Sequence, residues 1–167
     1  MTYNVTTLIG AQGIATTDTV QNHPLGTIVR GWDATYGEGE FIYMLGVAST
    51  IVGSLVAYNA TTWQTTLLTA TGRKNLATPV AVAMSANIAA QYGWYQISGN
   101  AVIKKTSVSV NPSVAIFSSA TAGRVKVVAS AGQQIMGATT ANLTTVVTTT
   151  STVVVTIDRP ATQSQVT

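Results

Sequence analysis

The sequence contains no cysteine. That excludes a disulfide framework and a thiolate zinc site, and it leaves the redox compartment open. A single histidine, His23, leaves little material for imidazole chemistry. Charge is scarce as well. Eight Lys+Arg and five Asp+Glu make up 8 % of the 167 residues, against about 25 % in an average soluble domain. Few side chains can therefore move protons, hold metals or grip phosphate. Thr, Val, Ala, Ser and Gly fill the places of charge, so water is met mostly through hydroxyls and amides. This balance points away from an enzyme and from a cofactor-dependent protein. It points toward a structural or binding part with much of its surface covered by partners.

The net charge of +3 rests on scattered residues: Arg30, Arg73-Lys74, Lys104-Lys105, Arg124, Lys126 and Arg159. Nucleic-acid recognition needs a dense basic face with aromatics between the charges, so no nucleic-acid partner is expected. The first residues carry neither a basic n-region nor an apolar h-region, and no secretory leader is expected. The uncharged run 41–58 nearly reaches the length of a membrane span, about 20 residues. Gly46, Ser49, Thr50, Gly53 and Ser54 interrupt it, and no basic flank marks either end. Two strands joined by a turn around Ala48-Ser49-Thr50 explain it better, and no membrane partner is expected.

The length fits one domain with an arm. Residues 1–25 read as an extended N-terminal arm, 26–160 as a β-rich domain and 161–167 as a C-terminal tail. The arm is rich in Thr, Asn and Gln and ends at His23-Pro24. Alone it buries little and should move, but it could order by adding to a sheet edge. From Gly26 onward, strand signals recur every eight to twelve residues between Gly, Asn and Pro. This spacing predicts an all-β fold, a β-sandwich or β-barrel with at most one short helix. That helix is placed at 86–91, with Ser85 as its N-cap. Glycines 37 and 39 and the acids beside them predict a loop. Pro79 to Met84 alternates larger and smaller apolar residues at period two. Trp94 to Ile97 predicts a strand, Ser98-Gly99-Asn100 a turn, and Ala101 to Lys104 a returning strand. Residues 143–149 and 152–157 predict a Thr-rich hairpin around Ser151, with a flat edge that a partner would cover.

Candidate chemistry is thin. His23 lies beside Pro24 in the arm, and no G-x-S-x-G elbow accompanies it, so a contact role suits it better than a triad. Asp33, Glu38 and Glu40 hold three of the five acids. Two carboxylates can run glycoside hydrolysis, and three could begin a cation site. A solvated loop, or an ionic contact with a neighbouring subunit's arginine, is the simpler reading. Gly37-x-Gly39 lacks the rest of a dinucleotide fingerprint. Trp94 suits a core, whereas Trp32 and Tyr36 suit an anchor between subunits. The expected partner contacts are His23, Arg30, Trp32, Tyr36, Glu38 and Glu40.

Several segments resemble a family of tailed-bacteriophage virion proteins. They are Tyr36-Gly37-Glu38-Gly39-Glu40-Phe41-Ile42-Tyr43 with Gly46-Val47-Ala48-Ser49, then Pro79-Val80-Ala81-Val82-Ala83, Tyr92-Gly93-Trp94-Tyr95-Gln96-Ile97-Ser98-Gly99 and Ile157-Asp158-Arg159-Pro160. The chain also resembles small β-rich capsid decoration or cement proteins. The resemblance spans 26–160. It implies a homotrimer on the capsid exterior, bound to the major capsid protein and assembled in bacterial cytoplasm. It carries no catalytic residues. A tail-fibre or head-fibre module that binds host-surface glycan through Trp32, Tyr36 and Glu38 is the alternative.

Overall fold

The structure is a computed structural model that describes residues 4–5 and 12–165. The rest of the expected arm and the last two residues of the expected tail lie outside it. Among the described residues there are twelve strands and no helix. They are β1 (Asn4–Val5), β2 (Thr17–Asp18), β3 (Ile28–Asp33), β4 (Gly37–Leu45), β5 (Leu55–Tyr58) and β6 (Thr65–Leu67). Then follow β7 (Val80–Ala83), β8 (Tyr92–Lys104), β9 (Ala115–Ser118), β10 (Val125–Lys126), β11 (Gln134–Thr140) and β12 (Thr152–Thr162). All pair antiparallel in one curled sheet that forms a half-barrel, so the all-β expectation holds.

The longest path through the sheet is β1-β3-β4-β8-β12-β11-β9-β10. β8, thirteen residues long, is its spine. β4 pairs with its first half. On the other edge, β7 pairs at Tyr95 and Gln96, and β12 takes over from Ser98 to Lys104. β5 joins β6 to β7 as a flap.

Three apolar clusters fill the curl. The largest joins Leu55, Val80 and Val82 to Ile103, Ile135 and Val155. A second gathers Val29, Phe41, Tyr43 and Trp94, with Ile14 from before β2. A third joins Ile42, Met44, Val56 and Tyr95 to Ala81 and Ala83. The alternation in β7 is thus two buried faces. Its valines fill the wide core on one side, and its alanines let β4 and β8 side chains close over the other. Trp94 is buried, as its sequence context suggests.

Residues 12–25 are packed onto the sheet. Thr17 and Asp18 pair with Gly93 and Tyr92, and Ile14 is buried. Lys105 is buried too, at 1 % exposure. Its Nζ donates to the carbonyls of Thr106 (3.3 Å), Val108 (2.8 Å) and Val147 (3.1 Å), so the cation ties two loops together.

Four local expectations are corrected. Residues 86–91 form a turn. Ser85 Oγ donates to the Thr16 carbonyl and Asn87 Oδ1, and Ala90 takes φ +62°. A stretch this short cannot nucleate a helix against such competing bonds. Gly37 to Glu40 lies inside β4. Ser98-Gly99-Asn100 lies inside β8, which bulges at Ile97 as the register shifts between Glu40 and Phe41. Gly39 and Gly99 are required by close approach, whereas Gly37 takes φ +76° with open space around it. A Cβ on Gly99 would sit 2.3 Å from the Glu38 carbonyl, and its φ is +94°. Finally, 143–149 forms no strand. β8 and β11 occupy both edges of β12, which leaves it no partner. Among the described residues, its β-pairing is limited to the isolated Val110–Val146 bridge. The Thr-rich strand is therefore internal. The run 41–58 divides into the end of β4, a loop and β5, and no helix among the described residues is long and apolar enough to cross a membrane.

Candidate interaction surface

β3 alternates strictly, exposing Ile28, Arg30 and Trp32 and burying Val29, Gly31 and Asp33. Its register with β4 places Arg30 opposite Glu40 and Trp32 opposite Glu38. Glu40 faces Ser98 on β8, and Ser98 faces Asp158 on β12. Directly opposed residues share a sheet face. Four strands therefore build one polar row, Arg30-Glu40-Ser98-Asp158, with Trp32 and Glu38 in the next. Asn100 lies two residues beyond Ser98 on the same face and accepts a 2.7 Å bond from the Thr156 hydroxyl.

Glu40 is the centre of this face. Arg30 Nη2 lies 3.3 Å from its Oε1, and Arg159 Nη2 lies 2.7 Å from its Oε2. Both arginine side chains are about 60 % exposed and Glu40 is 20 % exposed. Exposed pairs of this kind stabilise by only about 0–1 kcal/mol each. Their effect here is to hold two guanidinium groups in fixed places. A shallow cleft of about 180 Å³ lies among Arg30, Glu38, Gly39, Glu40 and Ser98.

Arg159 reaches Glu40 through a bulge. The β11–β12 register jumps from Met136↔Ala161 to Ala138↔Ile157, so Gly137 faces three residues of β12. Arg159 adopts φ +40° there, a conformation that costs a non-glycine residue about 1–3 kcal/mol. Bulges re-aim side chains, and this one turns Arg159 onto the outer face. Trp32, 48 % exposed, supplies aromatic surface on the same face, two residues along β3 from Arg30.

The expected contact residues divide. Arg30, Trp32, Glu38 and Glu40 share the outer face. Tyr36 is half-buried against the second cluster, and its carbonyl accepts a bond from Asn100 Nδ2 at 3.3 Å. His23 is half-buried, edge-on to Tyr43 at 5.2 Å and 5.4 Å from Trp94. Its Nε2 is 2.9 Å from Gln12 Oε1, and Gln12 Nε2 donates to Asp18. The Tyr43 hydroxyl donates to the same carboxylate at 2.6 Å. Burial pushes the Tyr43 phenol up to about 12, and its bond to Asp18 adds to the rise. This inner network fastens 12–23 to the sheet.

Asp33 points away from Glu38 and Glu40. Its Oδ1 accepts the backbone amides of Thr35 (2.8 Å) and Tyr36 (3.0 Å) and shapes the β3–β4 turn. The three acids are thus not brought together, and Asp33 and Glu40 do not flank one site. Glu40 is engaged by arginines of its own chain. Arg159, Asp158 and Ser98 were not singled out for contact from the sequence. The available signal was Pro160, since proline inside a strand marks an edge or a bulge. Comparison of the chain with family models, curated proteins and solved structures gave no match.

Proposed function

We propose that this protein is a capsid decoration protein of a tailed bacteriophage, docking on the major capsid protein through the outer face of β3, β4, β8 and β12. The carrying observation is the exposed Trp32 set beside an ordered Arg30-Glu40-Arg159 network on a rigid sheet. Exposed Trp and Arg in fixed geometry are the residues that most often dominate binding energy. The segments that carry the phage resemblance support the same reading. Residues 36–43, 92–99 and 157–160 fall on β4, β8 and β12, which are neighbours around the ion row. The scarcity of charge elsewhere suits close assembly, and a homotrimer would multiply weak contacts into firm attachment.

The test is binding to bare capsids, measured by co-sedimentation and by electron microscopy of decorated particles. Trp32→Ala with Arg159→Ala should weaken attachment by about a thousandfold, the sum of two hot-spot losses of about 2 kcal/mol each. Unchanged attachment, or absence of the protein from mature particles, would reject the reading. Truncation should be confined to 1–11, because residues 12–23 hold the inner network.

A further inference from the structure

A larger groove, about 300 Å³ in volume, opens beside β5, β6 and the turn at 71–75. Tyr58, Asn59, Gln64, Thr66 and Arg73 are among its lining residues. Its size falls at the lower end of small-ligand sites, enough for one or two sugar rings.

Tyr58 gives the groove an aromatic platform. Its ring stacks on Trp63 with centroids 6.2 Å apart and planes 23° apart. Trp63 lies against Gly26, where a Cβ would come within 2.6 Å of the indole. The same Trp63 takes φ +58°. Strain of this kind in a bulky residue persists only where surrounding packing enforces it, and it gathers at binding sites.

The polar fringe is preset. Asn59 Oδ1 accepts the amides of Thr61 (2.8 Å) and Thr62 (3.0 Å), so the side chain presents its Nδ2 as donor. Gln64 Nε2 donates to the carbonyls of Gly46 (2.9 Å) and Thr65 (3.1 Å), so its Oε1 serves as acceptor. Arg73 Nη2 makes one long bond, 3.4 Å, to Thr66 Oγ1. No carboxylate stands among the described lining residues. The groove is therefore electropositive, aromatic on one wall and rich in amide and hydroxyl groups.

We propose that this groove binds an acidic saccharide, with a sugar ring stacked on Tyr58 and its carboxylate held by Arg73. A guanidinium matches a carboxylate as a two-pronged donor. Asn59 and Gln64 supply the donor and acceptor that ring hydroxyls need. A bare anion would make no use of the tyrosine, and a neutral sugar would make none of the arginine. The site is separate from the docking face and does not depend on its role.

The full chain would be titrated with glucuronate, galacturonate and N-acetylneuraminate, followed by ligand-observed NMR and tryptophan fluorescence. Their methyl esters, which lack the charge, are the controls. At least one free acid should bind saturably at millimolar concentration, with its ester about tenfold weaker or more. Arg73→Gln should weaken the acid by a similar factor. Tyr58→Ala should abolish binding while Tyr58→Phe retains it, and thermal unfolding should report both variants folded. Trp32→Ala should leave binding unchanged. Absence of saturable binding by all three acids, equal binding of acid and ester, or indifference to Arg73→Gln would overturn the proposal.

Discussion

Lys105 and Tyr43 show how single buried polar groups hold this fold. Replacing Lys105 by methionine keeps the bulk but strands three carbonyls in a buried site. It should destabilise the protein by about 1–3 kcal/mol, read from the urea midpoint. Alkaline pH tests the tyrosines. Burial raises Tyr43 from 10.0 to about 12, and it raises Tyr58 and Tyr95 as well. Between those values the unfolded chain has lost protons that the folded chain keeps, so stability must fall as pH climbs through the range. Lys105 acts in the opposite sense and lower down. Burial sets it below its ordinary 10.5, so its contribution grows as pH rises toward that value. Denaturation curves should therefore show a loss concentrated above pH 10, and Tyr43→Phe should flatten it.

Among the elements, β8 carries the greatest share of the architecture, and Gly99 is its most exacting position. Gly99→Ala would force a left-handed φ and press a methyl into the Glu38 carbonyl. A loss of about 3 kcal/mol is expected, measured by thermal or urea unfolding. The alternation of larger and smaller residues in β7 could be read directly from the sequence, and it separates the strand's two sides, both of them buried. The glycines at 39 and 99 suggest a loop and a turn in the sequence for a physical reason. A glycine that permits a turn and a glycine that admits a neighbouring backbone look alike until the partner strand is known. The same holds for 143–149, whose threonines favour a strand that has no open edge to join. Half the outer face was legible, in Arg30, Trp32, Glu38 and Glu40. Arg159 was not, because the register jump at 157–161 that delivers it lies more than a hundred residues from Glu40 in sequence.

At the scale of the whole molecule, one curled sheet separates an inner side committed to packing from an outer side carrying an ordered ion network. Such a body can serve as a repeating tile if copies associate. Light scattering coupled to size exclusion should give a mass near three times 17.3 kDa if the expected trimer exists in solution. A single-chain mass would count against that trimer. The bulge that carries Arg159 has a further consequence. Glycine would sit there with less backbone cost than arginine does. Arg159→Gly should therefore raise the melting temperature, or leave it level, while stripping a guanidinium from the outer face. Robustness and the grip proposed for this face would then move in opposite directions at one codon, and breeding this protein for heat resistance alone would tend to discard that proposed grip.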